Sequence, residues 1–303
     1  MLGFIHGGGP AAASASVLSV GMGLVAATAW GGSDFAGGYG ARRSPALLIV
    51  AAGHVVTLAV LLAVCGFGHF PFPHRVEFSE GAIGGLEGAL ALAAFYQALA
   101  MGAMGLTATL TGLLTALVPV LFALGSEGLP APLAGAGLLL GCVAIWLIAH
   151  GSGDGTSGHD TPRVALILGA VSGVGFGLQL ILLKLASSGG IVWALTSARM
   201  GGVLGVIAIL LFSRLRPQSA PATGLRLSGY WWIGILAGGL DTIGNFGYTL
   251  AAHNGRLDIA AMVSSLYPGF TILLAAMVLR ERPTRRQTMG MAVALASVVL
   301  LSL

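Results

Sequence analysis

Residues 164–185 read VALILGAVSGVGFGLQLILLKL, with no charge before Lys184. A helix rises about 1.5 Å per residue, so roughly 20 such residues cross a hydrocarbon core of about 30 Å. A surface helix of a soluble domain keeps a charged or polar face along its length; this stretch offers only the uncharged stripe Ser172, Gly175 and Gln179, which lines a pathway or joins helices. It therefore predicts a membrane-spanning helix.

The same pattern recurs along the chain. Ten apolar runs are predicted, over 17–38, 45–67, 81–102, 106–125, 131–149, 164–185, 190–212, 229–252, 257–279 and 287–303. Gly, Pro and charge separate them, because irregular backbone carrying such residues cannot face lipid. Arg42-Arg43-Ser44-Pro45 is one such break, and the Gly/Ser/Asp stretch Gly151 to Asp160 is another. The expected fold class is an all-α integral membrane protein with ten transmembrane helices. The composition agrees: of 303 residues 56% are hydrophobic and 8% charged, with mean hydropathy +0.93. Soluble domains carry about 25% charged residues, so too few are present to cover a water-facing surface.

Other classes are excluded by what the charges and thiols do. The net charge of +4 comes from arginines in short connections, with Lys184 the sole lysine. That is a membrane-topology pattern and not a nucleic-acid surface. Cys65 and Cys142 fall inside different apolar runs and form neither a disulfide framework nor a metal motif. No Walker motif, zinc-ligand spacing or nucleophile elbow is present, so no metal, no cofactor and no enzymatic activity are expected. The Gly/Ala-rich residues 1–16 lack a basic region and predict a flexible tail.

The two halves of the chain echo each other around the linker at 150–163. Gly84-Gly85-Leu86-Glu87 matches Gly238-Gly239-Leu240-Asp241, and Leu117-Val118-Pro119 matches Leu266-Tyr267-Pro268. Each half, 17–149 and 164–303, holds five runs. Tandem copies with an odd number of spans insert with opposite orientation, which is the inverted-repeat plan of many secondary transporters.

Trp30-Gly31-Gly32-Ser33-Asp34-Phe35 resembles the first-helix motif of the drug/metabolite transporter (DMT) superfamily, EamA type. Ser264-Ser265-Leu266-Tyr267-Pro268, with Glu281-Arg282-Pro283 and the stretch Gln287 to Gly290, is similar to the end of that family's repeat. The first half departs from the pattern, with Gly128 where a basic residue usually follows the Glu. The resemblance implies a ten-helix carrier with a central cavity and alternating access, and leaves the substrate open.

Candidate site residues follow from the cost of placing ions in hydrocarbon, several kcal/mol for an unpaired carboxylate, with the exact size disputed. Asp241 and Glu87 are the candidate proton or cation acceptors, with Arg199 and Lys184 as counter-charges. Asp241, Asn245 and Tyr248 share one helix face at i, i+4 and i+7. With Gln179, Trp30, Asp34, His54 and Tyr267 they form the candidate substrate contacts. Each has a plainer alternative: a structural ion pair for Asp241, a neutral carboxyl for Glu87, a hydrogen-bonded core residue for His54. Pro119 and Pro268 each free a backbone carbonyl and are candidate hinges or simple packing kinks. The stripes Thr107/Thr111/Thr115 and Ser264/Tyr267/Thr271 either line a pathway or join helices.

The expected function is secondary transport of a small polar or amphipathic metabolite across a bacterial cytoplasmic membrane, with proton coupling as an option. The partners are that metabolite and the lipid bilayer, with no nucleic acid; the oligomeric state is left open. A non-transporting assembly or sensor subunit is the main alternative. A lipid-active intramembrane enzyme and a channel are further ones. Two orientation rules disagree: the Arg-rich connections place both termini outside, whereas the family resemblance places them in the cytoplasm.

Overall fold

The computed structural model describes residues 10–41, 44, 46–100, 104–150, 163–215, 231–280 and 283–303, with side chains from residue 17 onward outside a few helix ends. Its elements are helical: α1 (Pro10–Ala41), α2 (Ala46–Gly68), α3 (Arg75–Ala100), α4 (Met104–Ser126), α5 (Pro132–His150), α6 (Arg163–Ala186), α7 (Ile191–Leu215), α8 (Trp231–Asn254), α9 (Leu257–Ser264), α10 (Tyr267–Val278) and α11 (Arg285–Ser302). No strand occurs among the described residues. Among the described residues, four stretches are long and apolar enough to cross a membrane: Leu47–Gly68, Arg163–Gly189, Ile191–Phe212 and Leu257–Val278. On α2 the apolar side chains Val60, Leu62, Val64 and Phe67 point outward and exposed, as lipid solvation requires.

Helix limits depart from the sequence expectation at α3, which begins at Arg75 rather than at 81, and in two further places. The first helix begins at Pro10, so the expected tail 1–16 is helical in its second part. Pro suits the first helical turn, and the Ala-rich residues after it are strong helix formers. The linker 151–162 and the motif residues Glu281 and Arg282 lie outside the described residues. The last departure is in the ninth run, which is two helices broken at Ser265–Leu266. Pro268 cannot donate to the carbonyl four residues earlier, so the ladder is interrupted there. Leu266 instead donates to Val263, and Gly269 to Leu266, in tight turns. Pro119, by contrast, sits inside an unbroken α4.

Every one of the most extensive helix pairings joins a helix before residue 150 to one after 163. They are α1 with α8, α3 with α6, α3 with α7, and α5 with α11. Next come α4 with α6, α2 with α8, α1 with α10, and α2 with α7. Exchanging the first five helical rods for the last five maps this set onto itself: α1–α8 becomes α6–α3, and α2–α8 becomes α7–α3. The sense of packing is also preserved. α1 runs against α8, with Ser19 bonded to Ala251 and Ser33 to Ala237. α3 likewise runs against α6, where Gly84 meets Leu182 and Gly175 meets Ala91.

Glycine sets the two tightest crossings. A Cβ on Gly85 would lie 1.7 Å from the Ala198 carbonyl oxygen, and one on Gly201 would lie 1.9 Å from that of Ala82, so α3 and α7 touch backbone to backbone. At the related α2–α8 crossing, a Cβ on Gly238 would lie 2.4 Å from the Gly53 Cα. Such contact gives dispersion energy that lipid cannot replace. The C-terminal helix is fixed differently. Thr284 and Gln287 form a capping box at 3.3 and 2.8 Å, and Gly290 seats the helix on Ile148 of α5. This gives the Gln287 to Gly290 motif a structural role.

Gly85→Ala is expected to lower the apparent Tm of the detergent-purified protein, with a cost of about 1–3 kcal/mol from overpacking. Gly37→Ala, where an added Cβ meets nothing within 4 Å, is the matched control and leaves the Tm unchanged. Equal melting curves for both variants would remove the crossing from the list of stabilising contacts.

Candidate functional site

A cavity of about 430 Å³ lies among α1, α2, α3, α6, α7 and α8, with Thr115 of α4 and Tyr267 of α10 at its sides. Each helix supplies residues at helical spacing. α1 gives Trp30, Ser33, Asp34 and Gly37; α8 gives Gly234, Gly238, Asp241 and Asn245. The cavity continues to Ile49 and Gly234 near the starts of α2 and α8, hereafter the Ile49 end. Toward the opposite end it stops on Leu183 and Leu195, which are 0% and 4% exposed.

Arg199 is the electrostatic centre. Its guanidinium donates to the Asp241 carboxylate and, at 3.0 Å, to Thr242 Oγ1. Asn245 Nδ2 donates to the same Asp241 oxygen at 3.0 Å. His54 Nε2 faces Arg199 at 3.5 Å, while its Nδ1 lies 3.0 Å from the Val50 carbonyl. A carbonyl only accepts, so Nδ1 carries the proton; a guanidinium only donates, so Nε2 keeps its lone pair. This contact is that of a neutral imidazole. The Arg199 side chain is 7% exposed and that of Asp241 34%, so the cation is hidden and the carboxylate keeps a side open to the cavity.

Aromatic packing shapes one wall. The Trp30 ring stacks on Tyr248 at 5.9 Å and meets Tyr267 edge-on at 6.2 Å. A Cβ on Gly244 would strike the Trp30 ring at 2.4 Å, so glycine is what admits the indole here. Asp34, four residues after Trp30, is exposed and within electrostatic reach of Asp241 and Tyr267.

Of the residues singled out from sequence, Asp241, Arg199, Asn245, Gln179, Trp30, Asp34, His54 and Tyr267 line this cavity. Three others lie elsewhere. Glu87 faces a shallow outer groove with Leu90, Ala91, Ala170 and Val171. The cavity spacing Gly85, Gly88, Leu92 on α3 equals Gly238, Asp241, Asn245 on α8, so Gly88 and not Glu87 occupies the place related to Asp241. One residue of helix is about 100° of rotation, enough to turn a side chain out of the cavity. Tyr248 is fully buried behind Trp30, its hydroxyl donating to the Leu180 carbonyl at 2.7 Å. Lys184 is not the partner of Asp241. It donates to the Ala252 and Gly255 carbonyls and sits 3.7 Å from Glu127.

Lys184 belongs to a cluster that closes the end away from Ile49. Glu127 accepts from Leu257 N at 3.0 Å, and Arg256 donates to the Gly128 carbonyl at 2.7 Å and to Asp258 at 2.8 Å. The bond to Asp258 pushes the Arg256 guanidinium above its ordinary range. Phe72, Phe78 and Trp193 pack together near the α6–α7 connection, with Phe72 and Trp193 edge-on at 4.8 Å.

The polar stripes divide between the two roles. Thr111 bonds the Gly169 carbonyl across helices at 2.9 Å and Thr271 that of Gly31 at 3.3 Å, whereas Thr115 lines the cavity. The side chain of Thr107 is outside the described residues. Sequence reading missed Ser33, Gly88, Phe95, Phe176 and Thr242. The first was signalled by its i+3 spacing from Trp30; Thr242 carried no signal, because it serves Arg199 from the flank of α8.

A solved structure, described as the crystal structure of a protein, matches with a TM-score of 0.70 at 18% identity, covering 93% of this chain and 95% of its own. At that identity the likeness is one of fold. Curated protein sequences return no match. The sequence profile of the EamA-like transporter family matches residues 163–303. These residues are α6 through α11, which supply Gln179, Arg199, Asp241, Asn245 and Tyr267 to the cavity. This second half is therefore similar in sequence to the EamA-like transporter family, and the match is consistent with the DMT superfamily.

Proposed function

We propose that the chain is a secondary transporter of a small polar or amphipathic metabolite, working by alternating access with ten spans in two inverted repeats. The observation that carries this is the cavity itself. It holds an ion pair and several polar side chains among helices, is floored by Leu183 and Leu195, and continues to the Ile49 end. The exchange symmetry of the helix pairings supports the inverted repeat. In such a molecule the state closed at one end has a counterpart closed at the other, and helices rocking about the central site interconvert them.

The groups on the page suit this cycle. The closing cluster around Glu127, Lys184 and Arg256 consists of ion pairs and carbonyl contacts, which break and re-form without covalent change. Asp241 holds Arg199 while offering its open side to an arriving cation or proton, and a partner bound there competes with the guanidinium. Asn245, Gln179, Trp30 and Tyr267 complete the contact surface. Energy comes from the substrate gradient or from protons, and a bacterial cytoplasmic membrane is the proposed location.

The test is flux in proteoliposomes loaded with a pool of metabolites, with and without a pH gradient. Saturable flux is expected. Asp241→Asn is expected to lower it at least about ten-fold, on the order of 1.4 kcal/mol in the barrier. Flux proportional to concentration at all levels indicates a channel, and no flux of any compound indicates an assembly or sensor subunit.

The closing cluster gives a second test. Lys184→Met removes the ion pair to Glu127 and is expected to loosen the closed end. In a background lacking Cys65 and Cys142, a cysteine at Leu195 should then react several-fold faster with a membrane-impermeant thiol reagent added from that side. An unchanged labelling rate would assign Lys184 to folding alone.

A further inference from the structure

We infer that the cavity selects an amphipathic organic monocation, an amine or quaternary ammonium with an apolar body, and that Asp34 seats its charge. This rests on taking the cavity as the substrate site, as proposed above.

The charge inventory of the cavity leads there. Four of its residues can carry charge: Asp34, His54, Arg199 and Asp241. Arg199 and Asp241 cancel each other. The guanidinium is also committed to Thr242 and His54, and its side chain is 7% exposed, so no arriving anion meets a free cation. His54 presents the neutral tautomer, its Nδ1 proton held by the Val50 carbonyl. Asp34 is left over. It is exposed, it forms no ion pair among the described residues, and it lies within electrostatic reach of the like charge of Asp241. The lumen therefore holds one carboxyl that forms no ion pair among the described residues; a cation bound beside it favours its ionised form, and among low-dielectric walls the two attract more strongly than in water.

The surroundings of Asp34 refine the class. Trp30 lies on the same face of α1, one turn away, and Tyr267 is within electrostatic reach. Both line the cavity. A carboxylate beside indole and phenol rings suits an ammonium, including one without N–H donors, because ring faces attract cations and need no hydrogen bond. Away from Asp34 the wall is apolar. Leu92 and Leu180 line it with Phe95 and Phe176, whose rings meet edge-on at 6.4 Å. At about 430 Å³ the space is in the range that holds one small organic molecule. An aromatic body against Phe95 and Phe176 with a cationic head at Asp34 satisfies both regions. A carboxylate or phosphate would place its charge near two aspartates.

The test is calorimetric binding to the detergent-purified full chain, using three probes of similar shape: benzyltrimethylammonium, benzyl alcohol and benzoate. The ammonium is expected to bind saturably and at least about ten-fold more tightly than either other probe, a modest effect for one desolvated charge contact. Asp34→Asn is expected to remove that advantage, and Asp34→Glu to keep part of it. Benzoate or benzyl alcohol binding the wild type as tightly as the ammonium, or no saturable ammonium binding, overturns the inference. So does an Asp34→Asn variant that binds the ammonium unchanged. If Asp34→Asn does not purify as a monodisperse protein, the three-probe comparison on the wild type decides alone. Binding is read without flux, so a cation that binds but is not moved counts against transport and not against the site.

Discussion

A guanidinium buried among helices has to be neutralised where it stands, and Arg199 on α7 imposes that condition on its neighbours. An unpaired charge in hydrocarbon costs several kcal/mol, and removing one partner of a buried pair strands the other. Asp241 meets the requirement from α8, and Thr242 and Asn245 bind the pair on either side. His54 on α2 turns its unprotonated nitrogen to the same group. Three helices are thus held to one point by polar contacts of defined geometry. In a membrane the apolar surfaces of those helices would pack against lipid nearly as well as against one another.

Close backbone approach makes that convergence possible. α2 crosses α8 at Gly53 and Gly238, and α3 crosses α7 at Gly85 and Gly201, each with no room for a Cβ. With the helices in contact at these crossings, the side chains beside them turn inward and cannot fill the space between. A larger residue at Gly88 would run into Gln179, and one at Gly202 into His54. The glycines therefore do two things: they bring backbones together at the crossings and keep the centre open around the charged cluster.

Much of this was legible in the sequence because hydrocarbon imposes a simple code. Length and apolarity marked the helices, and Pro, Gly and Arg marked their ends. Pro119 and Pro268 were both readable as hinges or packing kinks, but the sequence did not say that the helix divides at Pro268 while α4 passes through Pro119 intact. Facing was harder. The letters Gly-Gly-Leu-Glu and Gly-Gly-Leu-Asp align well, yet the cavity aligns Gly88 with Asp241, one position away. Identity of letters is blind to the 100° that separates neighbours on a helix. Lys184 was misplaced for a related reason. Its depth along α6 suggested an intramembrane partner, but its carbon chain carries the ammonium to the helix end, among carbonyls and Glu127, where long cationic side chains are commonly found.

The halves pair symmetrically as helices but not as chemistry. At the places where α8 carries Asp241 and Asn245, α3 carries Gly88 and Leu92; where α7 carries Arg199, α2 carries His54. On α1 and α6 the balance reverses, with Trp30 and Asp34 opposite Phe176 and Leu180. Gln179 on α6 apart, polar groups thus gather toward α1, α7 and α8, and apolar ones toward α3 and α6. A symmetric cavity would hold a ligand in two equivalent poses. This one is asymmetric: one wall is charged and polar and the other is mostly apolar. Part of the α1–α8 and α3–α6 pairing lies outside the cavity, as in Ser19 with Ala251 and Gly84 with Leu182, so those contacts can be kept while the cavity side chains specialise.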